Sequence, residues 1–134
     1  MFSPTARVVC VTGRATRTVT LAPLGRPGGV KAVFVKRGRR VLAIEARART
    51  GYDRTLCETG ILVYEVDQTP FRRAPVRLYA AQPDADAPNR ACGARWNAPF
   101  DRGRGEVRTL ALPGIRVDVL ARRPDGSYRV RVSG

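Results

Sequence analysis

Histidine is absent from this 134-residue chain, and its absence excludes several kinds of chemistry at once. Ser-His-Asp triads, the H-E-x-x-H zinc motif and Cys/His zinc sites all need an imidazole. No apolar run approaches the roughly 20 residues of a membrane-spanning helix, so the sequence predicts no membrane span. Residues 1–14 also lack the basic start, apolar stretch and small-residue cleavage site of a signal peptide.

Cysteine is scarce and forms no recognisable motif. Cys10, Cys57 and Cys92 include no C-x-x-C pair, which excludes a zinc ribbon and a thioredoxin-like site. A cysteine nucleophile would need a histidine partner, and there is none. Cys10 lies in an apolar run and is expected to be a buried free thiol. Cys57 and Cys92 fall in turn-rich segments, where one disulfide and free thiols fit the spacing equally well.

Acidic residues and lysines are few, whereas arginine is abundant. The chain has 25 Lys+Arg against 11 Asp+Glu, a formal net charge of +14, and only Lys31 and Lys36 are lysines. Alternating arginines such as Arg129 and Arg131 are expected on the water-facing side of strands. One dense cluster is predicted to form a basic hairpin tip: Lys36, Arg37, Arg39 and Arg40. Two interpretations stay open, namely a solvated surface that keeps edge strands apart and a polyanion-binding face.

Short, often alternating apolar segments separated by glycine and proline predict β-strands and no helix. The predicted strands cover residues 7–12, 16–24, 30–35, 40–47, 60–66, 75–81, 106–112, 115–121 and 128–133. The strand at 60–66 is the most apolar and is expected to be central. Residues 82–95 are predicted to form a long loop, after which Trp96 and Phe100 pack back onto the body.

Eight or nine strands with regularly spaced turns indicate an all-β fold, either an antiparallel β-sandwich or a partly open barrel. The turn Pro124-Asp125-Gly126-Ser127 is expected to join the last two strands as a hairpin. Because no internal repeat or low-complexity tract divides the chain, residues 1–134 are predicted to form a single domain.

Carboxylates near the middle of the chain are the main candidates for chemistry. Glu45, Asp53 and Asp67 come from two strands and a loop, and together they are candidate ligands for calcium, which takes about 6–8 oxygen atoms. No D-x-D-x-D spacing is present, so ion pairs with nearby arginines are favoured. The strand positions of most tyrosines suit a core better than a carbohydrate platform. The sequence therefore predicts no catalytic residue and no cofactor.

The segments around Glu45 resemble a known family. Residues 41–47 (VLAIEAR), residues 51–53 (GYD) and residues 60–67 (GILVYEVD) resemble the β region that follows the peptidase domain in secreted bacterial zinc metalloproteases of the immune inhibitor A type. The family's zinc-binding helix has no counterpart here. The resemblance implies a structural role for six residues: Glu45, Arg47, Gly51, Asp53, Gly60 and Asp67.

The resemblance implies a non-catalytic accessory domain of a secreted bacterial metalloprotease that supports folding, docking or substrate positioning. Its partner would be a metallopeptidase domain in the same or a neighbouring chain, docked at the edge of the strand that begins at Gly60. Glu45 and Asp53 would order the loop beside that edge. An H-E-x-x-H motif encoded upstream of Met1 would support this hypothesis. The alternative function, which rests on charge, is a basic module that binds nucleic acid or an acidic cell-wall polymer.

Overall fold

The computed structural model describes residues 7–12, 14–23, 28–48, 59–67, 76–79, 100 and 108–134. All nine elements found there are β-strands. Among these residues, no helix has the length and apolar character needed to cross a membrane. In chain order the strands are β1 (Arg7–Val11), β2 (Thr16–Leu21), β3 (Val30–Arg37), β4 (Arg40–Arg47), β5 (Gly60–Asp67), β6 (Val76–Tyr79), β7 (Thr109–Leu112), β8 (Ile115–Arg122) and β9 (Tyr128–Ser133).

The nine strands form one strongly curled sheet, a half-barrel with an open side. The strand order is β6-β5-β4-β3-β2-β9-β8-β7, and β1 pairs with β3 beside β2. The prediction of an all-β fold with a partly open barrel is confirmed. The sheet is mixed, because β1 runs parallel to β3 and β2 meets β3 in parallel at the Leu21–Val30 pair. All other neighbouring strands are antiparallel.

Each observed strand coincides with a predicted one, but the position of β5 differs from the prediction. It lies second from one end of the sheet order, not at the centre. Its inner side chains Ile61 and Val63 are fully buried, while Leu62 and Tyr64 on its outer face are partly covered. Its apolar composition therefore reflects burial of side chains on both faces. In a curled sheet, a strand near the end can be buried in this way as well as a central one. The predicted loop at 82–95, Trp96, Cys57 and Cys92 lie outside the described residues.

The core fills the inner face of the curled sheet with alternate residues of the strands. Leu42, Ile44 and Ala46 of β4 are at most 2% exposed. From the other half of the sheet, Tyr128, Val130 and Val132 of β9 join the same buried cluster. Phe100 completes it, since its backbone exchanges two hydrogen bonds with Ile61 and its side chain is buried. The prediction that Phe100 packs back onto the body is confirmed.

Cys10 differs from the sequence prediction. It lies on β1 between Val9 and Val11, which pack on the core side, so its own side chain points outward and is exposed. The thiol is free, as predicted, but the predicted burial is wrong. The reason is that an unbroken apolar run in a strand still alternates between two faces, and β1 has only its inner face on the core.

Candidate functional site

Glu45 lies on the outer face of β4, where two neighbouring side chains engage its carboxylate. Arg47 donates to Oε1 from Nε at 3.0 Å and from Nη2 at 2.6 Å, and the Tyr64 hydroxyl donates to Oε2 at 3.5 Å. Burial raises the pKa of the Tyr64 phenol above its ordinary value of 10.0, and the charge of Glu45 raises it further. This arrangement corresponds to the ion-pair interpretation of Glu45.

The structure does not bring Glu45 and Asp67 together. Glu45 pairs with Leu62, whereas Asp67 pairs with Arg40 near the opposite end of the β4–β5 hairpin. Five residues along a strand span roughly 16–17 Å, and an odd offset places the two side chains on opposite faces. These two carboxylates therefore cannot bind one calcium ion, and Asp53 lies outside the described residues. Across the described ranges, no three His, Cys, Asp or Glu side chains gather as metal ligands.

The edge of β5 that the sequence assigned to docking is occupied. β4 pairs with the whole of Gly60–Asp67, and β6 pairs with Val63–Val66 on the other side. Phe100 exchanges two backbone hydrogen bonds with Ile61, beyond the part of β5 that pairs with β6. From Ile61 to Val66, both sides of β5 therefore already have backbone partners within the chain, and docking at the edge of this strand stays a prediction. Gly51 is outside the described residues, and Gly60 adopts a φ of 140°, a backbone conformation that favours glycine.

The predicted basic tip is a real hairpin, but its described charges do not all lie on one face. β3 and β4 meet at the Arg37–Arg40 pair, with Lys36 on the outer face and Arg40 on the inner face. Arg40 lies 3.6 Å from Glu65 and 3.8 Å from Asp67, which offset its charge. Arg39 is exposed in the turn. The tip therefore presents fewer available charges than the sequence cluster suggested.

A second basic surface covers the outer face of β2, β9 and β8. The strand register places Thr18 beside Arg131 and Thr20 beside Arg129. Six exposed side chains define this arginine–threonine face: Thr16, Thr18, Thr20, Arg116, Arg129 and Arg131. The alternation noted for Arg129 and Arg131 is confirmed, since Val130 between them is fully buried.

Asp118 positions two of the arginines on this face, and nothing in the sequence patterns singled it out. It is 6% exposed and accepts hydrogen bonds from Thr109 at 2.9 Å, Arg116 at 3.1 Å and Arg131 at 3.3 Å. Burial by itself would raise the pKa of Asp118, but the hydrogen bonds from Arg116, Thr109 and Arg131 outweigh it and lower the pKa below 3.8. Only the register of β7, β8 and β9 reveals this cluster.

The lowered pKa of Asp118 predicts a specific loss of stability in acid. The stabilisation that its charge contributes is fully present above pH 3.8 and is lost as the pH falls through the lower folded-state pKa. We expect the Asp118 charge to contribute about 1 kcal/mol to the free energy of unfolding, because Arg116 and Arg131 are half exposed and water screens their charges. Urea unfolding from neutral pH down to about pH 2 should therefore show a shallower acid decline for Asp118→Asn than for the unmodified chain. Parallel curves would contradict the assignment.

No family model, curated protein or solved structure matches this chain.

Proposed function

We propose that this protein is a non-catalytic module that binds a phosphate-bearing polyanion through the arginine–threonine face. The observation that carries the proposal is the concentration of three arginines and three threonine hydroxyls on one exposed side of a sheet. The chain as a whole has a net charge of +14, which attracts polyanions at long range.

The chemistry of the face suits phosphate groups. Arginine binds phosphate oxygens through paired N–H donors, and a threonine hydroxyl adds a neutral donor beside it. Arg129 and Arg131 lie two residues apart on one strand, a spacing of roughly 6.6 Å, and the threonines lie about 4.8 Å away on β2. Successive anionic groups of a flexible polymer can therefore meet successive donors along β9.

Asp118 reduces the positive charge of the face but fixes the orientation of two of its arginine side chains. Its carboxylate offsets one of the three arginine charges, which leaves an excess of two positive charges. In return, it holds the guanidinium groups of Arg116 and Arg131 in place before a ligand arrives. A donor that is already ordered loses less conformational entropy on binding. Arg129 makes no hydrogen bond or ion pair within the described residues and is available to the ligand.

The accessory role beside a secreted metallopeptidase stays a prediction. It rests on the resemblance of the segments around Glu45, and the Ile61–Val66 part of the edge that it would use is paired within the chain. An upstream peptidase motif would support it without contradicting the polyanion proposal, because the arginine–threonine face lies on the other half of the sheet.

A salt-dependent binding measurement tests the proposal. Fluorescence anisotropy with labelled oligo-dT and with labelled poly(glycerol phosphate) separates the two sources of phosphate. We expect affinity for at least one probe to fall by a factor of ten or more between about 50 and 200 mM salt. The double variant Arg129→Gln/Arg131→Gln should weaken that binding about tenfold or more and reduce the salt slope by roughly 1.5.

A matched variant controls for net charge. Lys36→Gln/Arg39→Gln removes the same two charges from the hairpin tip and should leave most of the affinity, because neither residue belongs to the arginine–threonine face. A larger loss in the tip variant would assign binding to the tip and overturn the proposed surface. Absence of binding to both probes at low salt, or affinity that ignores salt, would overturn the function itself.

A further inference from the structure

The open side of the half-barrel contains a depression of about 400 Å³ that polyanion binding does not use. Arg40, Glu65 and Tyr79 line it from β4, β5 and β6, at one end of the sheet order. Leu112 and Pro113, from the turn between β7 and β8, line it from the other end. We call this depression the barrel mouth. Its volume falls within the roughly 300–1,000 Å³ of small-molecule sites.

The polar wall of the mouth holds hydrogen-bonding capacity that is not consumed by its ion pairs. Arg40 Nη1 lies 3.6 Å from Glu65 Oε1, and Arg40 Nε lies 3.8 Å from Asp67. Both distances exceed the 2.7–3.2 Å typical of a hydrogen bond, so the guanidinium attracts the carboxylates without donating to them. Among the described residues, Glu65 accepts one hydrogen bond, from the Tyr79 hydroxyl at 3.2 Å to Oε2. Arg40 donors and Glu65 Oε1 can therefore serve a ligand.

The ionised side chains that the structure describes at the mouth balance, which favours a neutral ligand. Arg40 and Arg77 oppose Glu65 and Asp67, and the Arg77 guanidinium lies over the Tyr79 ring at 5.2 Å. A charged ligand would meet a like charge wherever it met an opposite one. A hydroxyl group both donates and accepts, so neighbouring hydroxyls can donate to Glu65 and accept from Arg40 together.

The other described residues of the wall are largely apolar. Tyr79 and Leu112 pack against the core from opposite ends of the sheet, and Pro113 is exposed beside them. Burial, together with the charge of Glu65, raises the pKa of the Tyr79 phenol above 10.0, so the hydroxyl keeps its proton at neutral pH. Such a surface suits the C–H face of a ring whose edge carries hydroxyl groups.

We propose that the barrel mouth binds a neutral saccharide unit. Arg40 and Glu65 contact its hydroxyl groups, and Leu112, Pro113 and the Tyr79 ring cover its apolar face. This site is independent of the arginine–threonine face, which lies on the outer side of other strands.

NMR titration of the full chain tests the proposal. The probes are glucose, N-acetylglucosamine, maltose and cellobiose, and the signals are the Arg40 Nε–H, the Tyr79 ring and the Leu112 methyl groups. We expect saturable shifts of all three signals with at least one sugar. Glu65→Gln should weaken that binding about tenfold, because a hydrogen bond to a charged acceptor becomes a neutral one. Arg129→Gln/Arg131→Gln should leave it unchanged.

Three results would overturn the proposal. The first is no saturable shift with any of the four sugars, and the second is equal affinity in the folded Glu65→Gln variant. The third is that inorganic phosphate or acetate shifts the same signals and binds with higher affinity than the sugars do, which would make the mouth an anion site. Polyanion affinity measured on Glu65→Gln separates the two proposals. We expect it to equal the affinity of the unmodified chain, whether or not the sugars bind.

Discussion

Phe100→Ala is expected to lower the free energy of unfolding by about 3–5 kcal/mol. The Phe100 side chain is 3% exposed and belongs to the buried core cluster. Its backbone N–H donates to Ile61 at 2.8 Å, and its carbonyl accepts from Ile61 at 2.7 Å. Truncating the ring would leave a cavity beside β5 that these backbone bonds prevent from closing fully. Urea unfolding at neutral pH measures the loss.

Phe34→Ala provides the matched comparison, because it removes the same atoms from another position. Phe34 lies on the outer face of β3, across from Ala43 and Cys10, and it is only partly buried. Its truncation removes less apolar area from the folded interior, so the expected cost is roughly half that of Phe100→Ala or less. Equal losses would show that Phe100 does not anchor its segment to the core.

Gly29→Ala is expected to cost about 2–4 kcal/mol, although it adds only one methyl group. Gly29 precedes β3 with a φ of 78°, which is unfavourable for any residue with a Cβ. A Cβ built there would lie 2.8 Å from the Cβ of Ala22, too close for either to stay in place. The clash would move Ala22 away from Val30 and weaken the hydrogen bond that the Ala22 N–H donates to the Val30 carbonyl.

Gly28→Ala separates the two causes of this loss. Gly28 has nearly the same φ, 77°, but an added Cβ would meet no atom of the described residues within 4 Å. Its expected cost is about 1–2 kcal/mol, from the backbone conformation alone. The difference between the two variants measures the contact with Ala22. If both lose the same free energy, the close approach of Gly29 and Ala22 is not present in solution.

Local patterns were sufficient for the strands and their turns. In β9, alternation alone predicted that Arg129 and Arg131 are exposed, as they are, with buried Val130 between them. The predicted turn before β9 is also observed, and there Asp125 accepts hydrogen bonds from the backbone N–H and the hydroxyl of Ser127. These features depend on residues close in sequence, where alternation and turn chemistry are decisive.

Local patterns were insufficient wherever distant segments meet. Glu45 and Asp67 were candidate ligands for one calcium ion, yet the β4–β5 register separates them and turns them to opposite faces. The same register places Arg40 beside Asp67, which weakens the basic tip. No local sequence pattern identifies Asp118, yet strand pairing makes it the centre of the arginine–threonine face.

By itself, then, the sequence determined an all-β chain with a strong positive charge and arginines on the solvent side of its strands. The tertiary structure alone decided which arginines share a surface, which edge of β5 is closed, and that Tyr79 faces Leu112 across the barrel mouth. The physical reason is that alternation fixes the face of a side chain within its own strand. Its neighbours on that face come from strand order and register, which are set by long-range pairing and burial of the whole sheet.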